Sequence, residues 1–74
     1  NLEDMKTYTF KTNINCDGCI RAVTPHLTKI ESIENWEVDI NHPNKILKVD
    51  LRGGSAHDVV EAVGQAGFSA QMLN

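Results

Sequence analysis

Residues 14–19 read Ile14-Asn15-Cys16-Asp17-Gly18-Cys19 and hold both cysteines of the 74-residue chain. An alternating pattern gives way to helical spacing here, which predicts a strand-to-helix turn. A thiol becomes a metal ligand once it loses its proton, and a helix N-terminus favours that loss. Two cysteines at this spacing allow both sulfurs to bind one metal ion, or to form a disulfide with each other. Soft thiolates favour Cu(I) and Zn(II) over hard cations.

The residues on either side of this segment predict a strand and a helix. Alternation from Lys6 predicts a strand with one buried and one wet face. Its predicted inward residues are Tyr8, Phe10, Thr12 and Ile14. From Asp17 onward the spacing predicts a four-turn helix that continues, with a kink, through Pro25. Its apolar positions are Cys19, Ala22, Val23, Leu27 and Ile30.

The second half of the chain predicts a hairpin, a helix and a last strand. Segments 33–40 and 47–51 alternate on either side of the turn residues 41–44, which predicts two antiparallel strands. Ser55 followed by Asp58 resembles a capping box, and Gly67 stands where a C′ glycine ends a helix. The apolar segment 68–73 predicts the last strand. Trp36, on the first strand of the hairpin, is expected in the core.

This order of elements predicts the fold. The sequence gives β-α-β-β-α-β, and each clearly alternating strand leaves one polar face. We therefore expect an α+β, ferredoxin-like open-faced sandwich, in which a four-stranded antiparallel sheet carries both helices on one face. Residues 1–5 are expected to form a flexible N-terminus, and residues 6–74 a single domain.

Composition narrows the classes of function. Hydrophobic residues make up 41% and charged residues 23%, as in ordinary globular domains. The net charge of −3 argues against a nucleic-acid partner, which calls for a concentrated basic patch. No apolar run approaches the length of a membrane span, and no signal segment opens the chain, so we expect a cytoplasmic location. Because residue 1 is Asn rather than Met, an upstream targeting or anchoring segment stays open.

Two sequence features carry a resemblance to a known family. The segment from about Tyr8 to Leu73 is similar to a heavy-metal-associated domain, the module of copper chaperones and of the N-terminal regions of metal-transporting P-type ATPases. That family has Met-x-Cys-x-x-Cys between its first strand and first helix, and Gly-Phe or Gly-Tyr before its last strand. This chain has Ile14 in place of the methionine, keeps Cys16 and Cys19, and has Gly67-Phe68.

The resemblance implies a metal site and a role in metal transfer, either as a metallochaperone or as a regulatory domain of a metal pump. Cys16, on the exposed loop, and Cys19, in the first helical turn, would bind Cu(I) as thiolates, with Zn(II), Cd(II), Ag(I) and Hg(II) as alternatives. Ile14 would act as a buried plug beneath the loop. Asn15, Asp17, Gly18 and Phe68 would flank the site, Phe68 half in the core and half covering the metal. The implied partner is a metal-transporting P-type ATPase or another thiol-bearing metal-binding domain. This chain is expected to be a monomer, with a metal-bridged dimer as the alternative.

Several alternatives stay open at this stage. Asp17 is interpreted as an acid at the start of the helix rather than as a third metal ligand. A carboxylate ligand would favour Zn(II). His26, His42 and His57 are expected to face solvent. No general base or oxyanion donor accompanies the cysteines, so the sequence does not predict an enzyme. The competing functions are a thiol–disulfide redox module and an interaction domain with a vestigial metal site.

Overall fold

The computed structural model describes residues 5–73 and confirms the predicted order of elements. The elements are β1 (Met5–Thr12), α1 (Asp17–Thr28), β2 (Ile33–Asp39), β3 (Ile46–Arg52), α2 (Ala56–Gln65) and β4 (Ala70–Met72). Met5 is opposite Arg52 in the sheet, so β1 begins one residue earlier than predicted. Residues 1–4 of the predicted flexible N-terminus lie outside the described residues.

The sheet has the strand order β2-β3-β1-β4, and every neighbouring pair is antiparallel. Tyr8, Val49 and Trp36 lie opposite one another across β1, β3 and β2. Residues that are directly opposite in an antiparallel pair share a face of the sheet. The predicted hairpin is confirmed, with β2 ending at Asp39 rather than at residue 40.

The core lies between one face of the sheet and both helices. Each element except β2 and β4 contributes fully buried apolar side chains, and the β1–α1 loop contributes one more. The buried apolar residues are Phe10, Ile14, Val23, Leu27, Leu47, Val49, Leu51, Val59, Ala62 and Val63. Burial of one such large side chain contributes about 1.5–3 kcal/mol. Because the sheet and both helices share one apolar cluster, the predicted ferredoxin-like sandwich is confirmed.

Helix α1 differs from the prediction in its apolar face. Ala22 was expected inside but is exposed, whereas Ile20 packs against the core. The buried residues Val23 and Leu27 define the inward direction. Successive residues are about 100° apart around a helix, which turns Ala22 away from Val23. The helix continues through Pro25 as one element and ends at Thr28, so it is shorter than predicted. The kink stays a prediction.

Helix α2 begins at a serine cap, although the predicted capping box is wrong. The Ser55 hydroxyl accepts the backbone N–H of His57 at 3.1 Å, rather than that of Asp58. No side-chain bond from Asp58 back to Ser55 is present among the described residues. Asp58 stabilises the helix as an acid in its first turn, where it faces the positive end of the dipole.

The end of α2 explains why β4 begins later than predicted. Gly67 is the C′ residue with φ +94°, as predicted, and donates its N–H to Gly64. Phe68 donates its N–H to the Val63 carbonyl at 3.1 Å, which completes a Schellman motif. Because that N–H serves the helix, Phe68 cannot begin the sheet ladder. The predicted strand 68–73 is therefore corrected to Ala70–Met72.

The remaining predicted placements are mixed. Trp36 is half-buried and packs against the core, as expected. His42 and His57 are exposed, and His57 forms a surface pair with Glu61 at 3.1 Å. His26 was expected to face solvent but is half-buried on α1.

Candidate metal centre

The loop from β1 to α1 begins at the buried residues Thr12 and Ile14, which we call the base of the loop. Ile14 is fully buried, which agrees with its predicted place beneath the loop. Thr12 is 8% exposed, and its hydroxyl donates to the Lys45 carbonyl and accepts the N–H of Ile14. Thr12 also donates its own N–H to Asn44. The base of the loop is therefore held against the β2–β3 turn.

Cys16 is the N-cap of α1 and is exposed. Its backbone is extended, with φ −156° and ψ 167°, and its carbonyl accepts the first helical bond from Ile20. Its Sγ accepts the backbone N–H of Cys19 at 3.3 Å. A side-chain acceptor at this position satisfies a helix N–H group that would otherwise lack a partner. The sulfur thus lies at the positive end of the helix dipole.

Cys19 lies in the first turn of α1, where the helix directs its sulfur toward that of Cys16. The two Sγ atoms are 2.8 Å apart, and both residues are free cysteines. Cys19 is half-buried and packs against the core, whereas Cys16 is exposed. Asn15 Oδ1 lies 3.5 Å from the Cys19 sulfur. The structure therefore brings the two predicted ligands together, with Asn15 as a neighbour.

The two thiols have opposite pKa shifts. A hydrogen bond from the Cys19 thiol lowers the pKa of Cys16, and the backbone N–H groups of Cys19 and Gly18 act in the same direction. The Cys19 thiol donates its proton in the hydrogen bond to Cys16, and this bond raises the pKa of Cys19. Partial desolvation raises the pKa of Cys19 further. Cys16 is therefore the first of the pair to become a thiolate.

Asp17 and Gly18 complete the turn. Asp17 is exposed in the first turn of α1, and its charge raises the pKa of Cys16 slightly against the larger lowering effects. A Cβ added to Gly18 would lie 3.9 Å from the Cys16 sulfur, an ordinary van der Waals contact. Within residues 5–73, no three or more His, Cys, Asp or Glu side chains are grouped to hold a metal.

Two hydrogen-bonding arrangements that the sequence did not predict also shape the loop. Ser69 donates its N–H to Asn13 Oδ1 at 2.9 Å, which ties the loop to the α2–β4 connection. Thr12 provides the buried hydroxyl described above. Phe68, beside Ser69, is half-buried against the core. Its predicted role as a cover for the site stays a prediction. An Asn or Thr near a cysteine pair carries no distinctive sequence signal, because its role depends on partners distant in the chain.

Among the described residues, neither helix is long and apolar enough to cross a membrane.

Comparison with curated proteins finds copper chaperones. The chain is 31% identical over 64 residues to the chloroplastic copper chaperone for superoxide dismutase of rice, covering 86% of this chain and 20% of that protein. It is 25% identical over 67 residues to the ATOX1 homologue of Dictyostelium discoideum, a copper transport protein, covering 90% of this chain and 97% of that protein. The chain thus spans only a fifth of the rice chaperone. No protein-family profile matches the sequence.

Solved structures share the fold. The apo N-terminal domain of ZntA superposes with a TM-score of 0.80 at 21% identity, covering 95% of this chain and 94% of that one. The apo HMA domain of a copper chaperone for superoxide dismutase gives a TM-score of 0.77 at 18% identity, covering 95% of this chain and 68% of that one. The predicted resemblance to heavy-metal-associated domains is confirmed by the sequence relatives and the shared fold.

Proposed function

We propose that this chain, which resembles heavy-metal-associated domains in sequence and fold, binds a soft metal ion through Cys16 and Cys19 and passes it on. Cu(I) is the favoured ion, with Zn(II), Cd(II), Ag(I) and Hg(II) as alternatives. The proposed domain comprises residues 6–74, and the proposed role is that of a metal carrier rather than an enzyme.

The observation that carries this proposal is the sulfur pair. Two free thiols lie 2.8 Å apart at the N-terminus of a helix, and one of them is exposed. The lowered pKa of Cys16 favours the thiolate that a metal needs. A cysteine pair kept only for packing would have no need for an exposed sulfur at this position.

The geometry also favours transfer over storage. Sulfur ligands lie about 2.3 Å from zinc, so two sulfurs on one such ion cannot remain 2.8 Å apart at an ordinary bond angle. Metal binding therefore parts the two sulfurs, and the exposed Cys16 has more room to move than Cys19. Two thiolates leave room for an incoming thiolate of an acceptor, which is what ligand exchange requires.

The choice of Cu(I) rests on ligand chemistry and on the relatives. Soft thiolates suit Cu(I), whereas structural zinc sites use about four ligands. The curated relatives include proteins named as copper chaperones and copper transport proteins. Zn(II) stays an alternative because a neighbouring solved structure is the Zn(II)-form of ZntA. Asp17, which follows Cys16 in the chain, would be the candidate carboxylate for such a site.

The proposed partners follow from the same chemistry. The acceptor is a metal-transporting P-type ATPase or another thiol-bearing metal-binding domain in the cytoplasm. The apoprotein is a monomer, and a dimer forms only when four thiolates from two chains share a metal. Nucleic acid is not a proposed partner, because the net charge is −3.

A thiol–disulfide redox module is the second candidate, since the sulfurs are close and the pKa of Cys16 is lowered. In such a module the reduced cysteine pair attacks a substrate disulfide, releases the substrate as a dithiol and itself becomes a disulfide, with no need for a metal. An interaction domain with a vestigial site is the third and predicts neither activity.

Anaerobic titration of the reduced protein with Cu(I), Zn(II) and Cd(II) against competing chelators tests the proposal. We expect one Cu(I) per chain, bound far more tightly than Zn(II), and greatly weakened binding in Cys16→Ser or Cys19→Ser. Full Cu(I) affinity in the double serine variant would refute the site. Negligible Cu(I) binding with rapid catalysis of disulfide exchange would favour the redox module instead.

A further inference from the structure

The β1–α1 loop is anchored by Asn13, which is not one of the proposed metal ligands. Asn13 lies between the buried residues Thr12 and Ile14, and its side chain is exposed. Its Oδ1 accepts the backbone N–H of Ser69 at 2.9 Å, across 56 residues of sequence. Ser69 precedes β4 and directly follows Phe68, whose own N–H caps α2. Asn13 thus provides the acceptor for a backbone donor that lies outside the sheet ladder.

The same end of the loop is fixed on its other side. Thr12 bonds to the carbonyls of Lys45 and Asn44 in the β2–β3 turn, and its hydroxyl accepts the N–H of Ile14. Residues 12–14 are therefore held between two connections of the fold. The next four residues, which include Cys16, are all exposed. The anchored part of the loop therefore ends at Ile14, and the exposed part that carries Cys16 begins at Asn15.

We infer that Asn13 is a positioning residue for the metal site. Its amide fixes residues 12–14 to the α2–β4 connection. The distance between the sulfurs of Cys16 and Cys19 can then change on metal binding and release while residues 12–14 stay in place. The inference rests on the proposed function, because it assigns Asn13 a role in how the bound metal is held and released.

The expected consequence is kinetic. Without the amide oxygen, the base of the loop gains freedom on the side of Ser69, while the buried contacts of Thr12 and Ile14 keep the fold intact. One hydrogen bond of this kind corresponds to about a threefold to tenfold change in an equilibrium or rate. Asn13→Ala should therefore release metal about threefold to tenfold faster, with a small change in the midpoint of unfolding.

The test uses the Cu(I)-loaded chain and a chromogenic Cu(I) chelator under anaerobic conditions. The variants are Asn13→Ala, the rescue Asn13→Asp, which keeps an acceptor oxygen, and the control Asn41→Ala. Asn41 is an exposed asparagine in the β2–β3 turn. High ionic strength screens the charge that Asn13→Asp adds. Hydrogen exchange of the Ser69 amide, measured without metal, reports the bond directly.

We expect faster Cu(I) release and faster Ser69 exchange in Asn13→Ala, with wild-type behaviour in Asn13→Asp and Asn41→Ala. An unchanged release rate in Asn13→Ala, while wild type binds Cu(I), would overturn the positioning role alone. Equal acceleration in Asn41→Ala would also overturn it, because the effect would then be general. Failure of the wild type to bind Cu(I) would instead overturn the proposed function, whatever the Ser69 amide shows.

Discussion

The sulfur of Cys16 accepts the backbone N–H of Cys19 at 3.3 Å, so the first proposed metal ligand is also the N-cap of α1. Capping residues are usually Ser, Thr, Asp or Asn, whose oxygens satisfy a helix N–H group. A thiolate in this position gains the additional attraction of the helix dipole. The proposed metal binding and the first turn of α1 therefore depend on the same atom.

This shared role predicts different outcomes for two substitutions of Cys16. Cys16→Ser and Cys16→Ala should both greatly weaken Cu(I) binding, because each removes a thiolate. In the metal-free protein, Cys16→Ala should be less stable than Cys16→Ser by about 1 kcal/mol, because serine can still cap the helix. Urea denaturation under reducing conditions measures the difference. The matched pair Cys19→Ser and Cys19→Ala should not show this capping effect, and equal stability of the two Cys16 variants would argue against the cap.

The opposite pKa shifts predict two separate thiol titrations. Cys16 should become reactive toward iodoacetamide below the pH expected for an ordinary thiol, and Cys19 above it. Alkylation rates resolved by peptide mass spectrometry, measured anaerobically from neutral to alkaline pH, give both curves. Cys19→Ala should raise the pKa of Cys16 toward its ordinary value, because it removes the hydrogen-bond donor. Coincident curves for the two thiols would contradict the hydrogen-bonded pair.

The same shifts determine how stability depends on pH. The lowered pKa of Cys16 stabilises the fold above the thiol's unfolded pKa, and this contribution is lost as the pH falls through the folded pKa. The raised pKa of Cys19 has the reverse effect: its contribution is present below the unfolded pKa and is lost as the pH rises through the folded value. Both contributions are therefore present together near the ordinary thiol pKa, and stability falls as the pH moves away from it in either direction.

Much of the fold could be predicted because its elements follow simple periods. Alternation in β1 identified the buried residues Phe10 and Thr12, and it extended correctly to Ile14 beyond the strand. The start of β4 could not be read in this way. Apolar residues suggested a strand from residue 68, but the backbone N–H groups of Phe68 and Ser69 are bound elsewhere. A hydrophobic pattern does not reveal where backbone donors go.

The site shows the same division. The spacing of Cys16 and Cys19 was enough to predict that both sulfurs converge at a helix start, and their Sγ atoms do so. The bond between Asn13 and Ser69 was not predictable, because it joins residues 56 positions apart that have no characteristic spacing. Local chemistry is visible in a sequence, whereas contacts between distant loops depend on how the whole fold closes.

Ile14 should behave as a buried plug and not as a ligand. It is fully buried in the core, so Ile14→Met should cost less than about 1.5 kcal/mol and leave Cu(I) affinity within about tenfold. Ile14→Ala, which leaves a cavity, should cost about 2–5 kcal/mol. Urea denaturation and chelator competition measure the two effects. A third sulfur around copper in the X-ray absorption spectrum of Ile14→Met would show that this position can ligate the metal.

The link between β3 and α2 contains two glycines in the same backbone region but in different surroundings. Gly53 has φ +71° and Gly54 has φ +70°. A Cβ on Gly53 would have no heavy atom within 4 Å among the described residues, whereas one on Gly54 would lie 2.5 Å from the Ser32 hydroxyl oxygen and 2.8 Å from its Cβ. Ser32 is itself held in place, because its carbonyl accepts the N–H of Arg52 at 2.7 Å.

Alanine at these two positions should therefore separate backbone strain from a steric clash. Gly53→Ala should cost about 1–2 kcal/mol, the penalty of a left-handed backbone with a side chain. Gly54→Ala should cost a further 1–3 kcal/mol or so, because the added methyl overpacks against Ser32. Thermal and urea unfolding measure both. In a Ser32→Gly background the two alanine variants should cost nearly the same, since the opposing atoms are gone. A persistent difference there would mean that the extra cost of Gly54→Ala does not arise from Ser32.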